Sequence, residues 1–293
     1  MTILVGFAPH KDDSSAIELG ATLARSRGDD LLVVSVVPAP WPTPLPGGAD
    51  KEFASWSRER GEAAVAEAEQ LLAQHCPDLD TEATWVTGRS VPSTLWSRAR
   101  EAKASLIALG SGNNGPWGQV VVSTTADWLL HTAEVPVAVG TRGYRADPDS
   151  RVSRVTCAFR GDDASRRVLR QTAHLCSDMG VPMRVVTFAV QGRTMHTAGV
   201  SGAEEMVADR WVEQVGAAQS HAVEALTGVD PESVEQLVAA GRDWTSAFRR
   251  VDWIADEVLV VGSSASSPVT RLFLGHAATK IVRQSPTPVI VVP

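Results

Sequence analysis

The 293-residue chain has no apolar stretch approaching the ~20 residues that span a bilayer, which argues against a membrane-crossing helix. Its seven histidines form no His-x-His, His-Glu-x-x-His or Cys/His cluster, so a zinc site is not expected. There is no Gly-x-Ser-x-Gly elbow and no Gly-x4-Gly-Lys-Ser/Thr loop, which removes the usual hydrolase and P-loop readings. Basic runs are missing too. Lys and Arg number 27 against 34 Asp and Glu, and a net charge of −7 argues against nucleic acid as the main partner. The three cysteines, Cys76, Cys157 and Cys176, are odd in number and lack metal-type spacing, so they read as buried reduced thiols. The opening Met1-Thr2-Ile3-Leu4-Val5 has no basic flank and meets Pro9-His10-Lys11 after a short apolar run. It reads as a first strand rather than a signal peptide, and a cytoplasmic location is expected.

What the chain does have is repetition. Ile3-Leu4-Val5-Gly6-Phe7 is answered by Val155-Thr156-Cys157-Ala158-Phe159. Leu106-Ile107-Ala108-Leu109-Gly110-Ser111 is answered by Val258-Leu259-Val260-Val261-Gly262-Ser263, and Val135–Val139 by Thr287–Val291. All three pairs lie 152 positions apart. The period is far too long for a solenoid, so each half is a domain in its own right. The length fits two domains of ~150 residues. A hydrophobic content of 44% with 21% charged residues gives each half enough apolar side chain for a core. The expected domains are residues 1–145 and 150–293, with Gly140–Arg151 as a linker.

Within the first half, apolar runs at Ile3–Phe7, Leu31–Val37, Glu82–Val86, Ser105–Leu109 and Val135–Val139 read as strands. Between them, Ser14–Arg27, Glu52–His75, Val91–Lys103 and Thr124–Thr132 carry helical patterns. Nearly unbroken apolar strands mark a sheet covered on both faces. The second half repeats the order at Val152–Phe159, Ala164–Met179, Met183–Ala189, Gly202–Leu226, Val234–Val238, Thr245–Ala255, Val258–Val261, Ala277–Gln284 and Val289–Val292. Strict alternation predicts an α/β fold: two doubly wound domains, each a five-stranded parallel sheet in order 3-2-1-4-5 with helices on both faces. The last strand of each half lies at a sheet edge yet carries no protective charge. The two halves are therefore expected to pair through Val135–Val139 and Val289–Val292.

Two long connections interrupt the pattern. Pro38–Asp50 holds five prolines and Trp41, and reads as a stiff spacer or as a lid or docking surface. Its counterpart, Gln191–Ser201, has no proline. Gly88-Arg89 and Gly241-Arg242 follow the third strand of each half and read as turn glycines with an exposed arginine, or as phosphate or partner contacts. Trp96, Trp128 and Trp253 fall at helical positions and are expected in cores or interfaces. Trp41 and Trp117 lie in loops and are candidates for a ligand or partner surface.

Ligands of open parallel sheets sit at the carboxyl ends of the strands, where strand order reverses. After the fourth strand the second half runs Gly262-Ser263-Ser264-Ala265-Ser266-Ser267-Pro268 and on to Gly275-His276-Ala277; the first runs Gly110-Ser111-Gly112-Asn113-Asn114-Gly115-Pro116 and ends in Ser123-Thr124-Thr125. Small residues let backbone approach a phosphate, and a helix N-terminus offers free N–H groups. The hydroxyls of Ser123 and Thr124 are placed either to cap the helix or to bind phosphate.

On these residues the repeat unit resembles a universal stress protein domain, and nearly the whole chain resembles a tandem member of that family. The resemblance implies a loop of the form Gly-x-x-Gly-x9-Gly-Ser/Thr that cradles the triphosphate of ATP. Laid on it, the second half keeps Gly262 and Gly275 but has Ala265 at the second glycine and His276 at the hydroxyl position. The first half keeps Gly110 and Thr124, with Asn113 and Ser123 where glycines would stand. The family often places an Asp after the first strand, and that position falls on Ala8 in the first half and Arg160 in the second, followed by Gly161 and Asp162. Arg160 either meets a phosphate or is a solvated loop residue. An Ala where φ > 0 is needed costs on the order of 1 kcal/mol. A lost charged hydrogen bond costs roughly 1.5–3 kcal/mol. Together two such losses weaken a site by about a hundredfold. The resemblance thus implies a stress-response protein with a degenerate ATP site, placed in the second half, with His276 in its protonated form standing in for the lost hydroxyl. The alternative is an interaction or regulatory protein, with an unknown partner, that keeps the fold without the ligand. No general base stands beside a nucleophile, so no catalytic residue is assigned.

Overall fold

The computed structural model describes residues 1–9, 14–40, 49–190, 201–263 and 276–293. The chain divides into two compact units, Met1–Arg151 and Val152–Val292. The first consists of β1 (Thr2–Phe7), α1 (Ser15–Arg27), β2 (Asp30–Pro38), α2 (Ala49–His75), β3 (Thr81–Gly88), α3 (Val91–Glu101), β4 (Leu106–Leu109), α4 (Thr124–Leu130) and β5 (Val137–Val139). Its strands are all parallel and lie in the order β3-β2-β1-β4-β5. The second unit has β6 (Arg154–Ala158), α5 (Asp163–Met179), β7 (Met183–Val190), α6 (Ser201–Glu224), β8 (Glu235–Gly241), α7 (Trp244–Phe248), β9 (Glu257–Gly262), α8 (His276–Gln284) and β10 (Val289–Val292). Its order is β8-β7-β6-β9-β10, again parallel throughout. Both units therefore have the expected 3-2-1-4-5 arrangement.

The repeat extends to the pairing of individual residues. Ile3 faces Leu31 on one side and Leu106 on the other. Val155, 152 positions on, faces Met183 and Val258, each displaced by the same amount. A register slip of one residue would turn every side chain to the opposite face, so this identity of register fixes which positions of the two halves can be compared. The continuous apolar strands are buried on both faces, as the sequence requires: Ile3, Leu4, Val5 and Ile107 in the first unit, and Val155, Cys157, Leu259 and Val260 in the second, are fully inaccessible.

Two expectations are corrected. The helix expected over Thr245–Ala255 ends at Phe248. The Phe248 carbonyl, which a continuing helix would offer to the N–H of Asp252, accepts instead from Nε1 of Trp253 at 3.2 Å. The Asp252 carbonyl is taken by guanidinium groups of Arg154 and Arg184. The segment 140–151 is also no free spacer. It lies in the first unit and is bound to α1: the Ala146 N–H donates to Oε2 of buried Glu18 at 2.7 Å, the Tyr144 hydroxyl reaches Oγ1 of Thr22, and Arg151 donates to the Arg25 carbonyl. This cover explains why α1 is buried along nearly its whole length although it carries Glu18, Thr22 and Arg25. Trp96, Trp128 and Trp253 are half-buried, and Trp253 packs against the core cluster of Val186, Ala239 and Val251.

Candidate functional site

Each unit has a cavity at the carboxyl ends of its first, second and fourth strands. In the first unit the loop after β4 is folded on itself. Oγ of Ser111 accepts from the Val121 N–H at 2.7 Å and donates to the Val121 carbonyl at 3.3 Å. The N–H of Gly112 donates to the same carbonyl at 2.6 Å. Ser123 caps α4, accepting from the Ala126 N–H at 3.1 Å, and Thr124 begins the helix with an exposed side chain. The guanidinium of Arg142 donates to the Gly115 carbonyl and lies 4.8 Å from the ring centre of Trp117. The cavity beside this loop, about 180 Å³, is walled largely by Phe7, Ala8, Pro9, Val36, Val91 and Leu95. Ser111 and Ser123 are thus both occupied within the protein.

The second unit's cavity is about 220 Å³ and differs in chemistry. Phe159, Phe188, Trp211 and Trp244 supply aromatic walls, Thr187 and Ser263 supply hydroxyls, and Arg160 and Asp162 stand among the lining residues. Phe188 belongs to an aromatic column, stacked on Phe248 at 4.3 Å between ring centres, with Trp253 stacked on Phe248 in turn at 5.8 Å. Gly161, at φ +90°, turns the chain after β6 in a conformation side chains resist. Asp162 then caps α5, accepting from the Ser165 N–H at 2.8 Å. Its other oxygen accepts from Nε of Arg160 at 2.8 Å. Burial pushes the Asp162 carboxyl up, but the Ser165 N–H, Arg160 and the Ser165 hydroxyl together hold it below the usual carboxylate range.

Of the residues singled out in the sequence, Arg160, Gly262, Ser263 and Ala277 line this cavity, with Gly161 between two lining residues. His276 opens α8 and is exposed. Ala265 and Gly275 lie outside the described residues. The strand-end glycines have a packing role that sequence spacing does not reveal. A Cβ on Gly262 would stand 2.5 Å from Cγ2 of Val168, and one on Gly110 would stand 2.9 Å from Oγ of Ser15. Both glycines let the first helix of their unit lie against the fourth strand. Gly88 and Gly241 close their turns against Thr94 and Ala247 in the same way. Sequence reasoning did not single out Thr187, Phe188, Trp211 or Trp244. The only trace they leave is at the repeat-related positions, where Ser35 and Val36 stand against Thr187 and Phe188. Nucleophilic chemistry by the cysteines is disfavoured: burial pushes the thiol of Cys76 up to about 11 and those of Cys157 and Cys176 up to about 12.

Comparison with known proteins bears on this geometry. A model of the universal stress protein family matches residues 1–140 and again 152–293. A universal stress protein of Mycobacterium tuberculosis is 37% identical over the full length of both chains. One of Mycolicibacterium smegmatis is 24% identical, covering 99% of this chain and 96% of its own. Among solved structures, a universal stress protein from Archaeoglobus fulgidus aligns with a TM-score of 0.64 at 17% identity, covering 99% of this chain and 97% of that one. A putative universal stress protein from Pseudomonas aeruginosa aligns at 0.61 and 14% identity, over 99% and 92%. At such identities the two structures bear on the fold alone.

Proposed function

The chain belongs to the universal stress protein family, two of whose domains it carries in tandem, and on that premise we propose that it is a stress-response protein whose second domain holds a degenerate adenine-nucleotide site. The observation that carries the reading is the 220 Å³ cavity where strand order reverses, with aromatic walls and two buried hydroxyls that have no partner among the described residues. In this reading the adenine enters the cavity. The phosphates of ATP lie over Gly262, Ser263, Gly275, His276 and Ala277, with Arg160 beside them. Affinity for ATP is reduced, because Arg160 already bonds Asp162 and His276 replaces a hydroxyl. Mass spectrometry and absorbance of the denatured, purified full chain test it directly: a bound adenine compound is expected. Where none co-purifies, calorimetric titration decides, and no detectable heat with either ATP or adenosine at millimolar concentration rejects the site.

The ligand-free alternative, an interaction protein, has its support in the first unit. There the loop after β4 spends its hydroxyls and N–H groups on Val121 and Ala126, and a phosphate would have to displace those bonds. We assign that unit a scaffold role within the same protein. We also propose that the two halves associate through 135–139 and 289–292, both apolar and free of edge charges. Lysine at Val137 and Ile290 together should cause aggregation or separation of the halves, and unchanged small-angle scattering would count against the idea.

A further inference from the structure

Thr187 on β7 and Ser263 just past β9 are each more than nine-tenths buried, and neither hydroxyl has a hydrogen-bond partner among the described residues. Burying a hydroxyl without a partner is unfavourable. The equivalent positions in the first unit show that the fold does not require it. Ser35 donates to the Phe7 carbonyl at 3.2 Å, and Ser111 is bonded twice to Val121. The unpaired hydroxyls therefore belong to one unit only, and both line the same cavity.

The charges in that cavity point the same way. Among the described residues that line it, Arg160 is the one cation and Asp162 the one anion, and they are bonded to each other. Asp162 also occupies the N-terminus of α5, the position at which a helix would otherwise offer its N–H groups to an incoming anion. Among the described residues that line the cavity, a phosphate meets a carboxylate and no cation other than the one that carboxylate already holds. A cavity of about 220 Å³ also falls below the ~300–1,000 Å³ usual for ligand pockets, so it has room for a base with part of its sugar rather than for a triphosphate.

We propose that the second-domain cavity takes an unphosphorylated nucleoside in preference to its phosphates, with Thr187 and Ser263 bonding the nucleoside and Asp162 setting the discrimination. This rests on the adenine reading above and names the form of ligand that the site selects. The aromatic walls hold a planar base, whose ring nitrogens, amino group and ribose hydroxyls supply the partners that the two side chains lack.

Titration calorimetry of the full chain with adenosine, AMP and ATP tests it. Wild-type protein should bind adenosine most tightly and ATP least. Asp162→Asn keeps an equally good helix cap while removing the charge and releasing Arg160. It should raise the affinity for ATP relative to that for adenosine by about tenfold. Thr187→Val removes one hydroxyl at constant shape. It should weaken adenosine by about tenfold while the melting temperature of the free protein holds or rises, since the hydroxyl has no partner there. ATP binding as tightly as adenosine to the wild type, no response to Asp162→Asn, or a lower melting temperature in Thr187→Val overturns the inference and leaves the adenine site standing. Absence of binding by all three compounds removes both.

Discussion

The two units place different chemistry on the same rungs of the same sheet. In the first, Leu4 and Leu32 pair across β1 and β2, and Ser105 precedes β4. In the second, the equivalent positions are Thr156, Arg184 and Glu257, and all three are fully buried. Oε1 of Glu257 accepts from Oγ1 of Thr156 and from Arg184, both at 2.5 Å, while Oε2 accepts from Arg154 at 2.8 Å and from the Ile254 N–H at 3.0 Å. Arg184 also lies 5.3 Å from the ring centre of Trp253. A pair of leucines and a charge network therefore both serve this sheet. At the other end of the strands the contrast reverses: the hydroxyls of Ser35 and Ser111 are satisfied in the first unit, and those of Thr187 and Ser263 have no partner among the described residues in the second. Polarity satisfied from within is structural, and the two hydroxyls left over are what the nucleoside proposed above would satisfy.

The largest effect should come from breaking the network on one side. Glu257→Ala takes from buried Arg184 its buried carboxylate partner, leaving only the half-exposed Glu235 at 3.6 Å, and should cost about 3–5 kcal/mol in urea denaturation followed by tryptophan fluorescence. Copying the first unit instead, with Thr156→Leu, Arg184→Leu and Glu257→Ser together, should cost clearly less than Glu257→Ala, because the fully buried charge of Arg184 goes with its partner while Arg154 keeps Glu235. If the triple variant is as unstable as Glu257→Ala, the equivalence of the two solutions is lost.

A smaller effect tests the open end. Ser111→Ala leaves the half-buried Val121 N–H without its partner, and should destabilise the first unit by about 1 kcal/mol. Ser263→Ala removes a hydroxyl that bonds none of the described residues, and should leave the stability of the ligand-free protein within about 0.5 kcal/mol. Equal losses at the two positions would mean that Ser263 has a structural role after all.

The smallest effect depends on pH. Asp78 accepts two bonds from Arg25 at 2.8 Å, and that side-chain contact holds its carboxyl below the usual range. Its folded pKa is thus below the unfolded value of about 3.9, so the stabilisation is complete above that value and lost as pH falls through the folded pKa. Asp78 is 43% exposed, and solvent screening limits the effect to under about 1 kcal/mol. Asp78→Asn should flatten the acid limb of the stability curve below pH ~4. An unchanged limb would assign that loss to other carboxylates.

Much of this was legible in the chain because hydrophobic periodicity is a local signal. Runs such as Leu31–Val37 and Val258–Val261 mark strands buried on both faces, and the repeat offset carries the register with them. Helix ends were legible less often. The early end of α7 goes with Trp253 folding back onto the Phe248 carbonyl and with two arginines holding the Asp252 carbonyl beyond it, and the arginine contacts are ones that no window of sequence displays. In the candidate site, Arg160, Gly262 and Ser263 were within reach of motif spacing. Thr187, Phe188, Trp211 and Trp244 were not, since they come from three elements that only the folded sheet brings to one cavity.

The sequence by itself determined that there are two domains of one kind, their element order and the family to which they belong, because repetition and apolar patterning survive without knowledge of any contact. Only the tertiary structure decided which polar groups are spent and which are free. Ser111 and Ser263 are the same residue in the same motif position, and nothing in the chain separates them. One finds Val121 folded back to meet it and the other finds an open cavity, because hydrogen bonds are made by groups that the fold brings within about 3 Å, wherever they stand in the sequence.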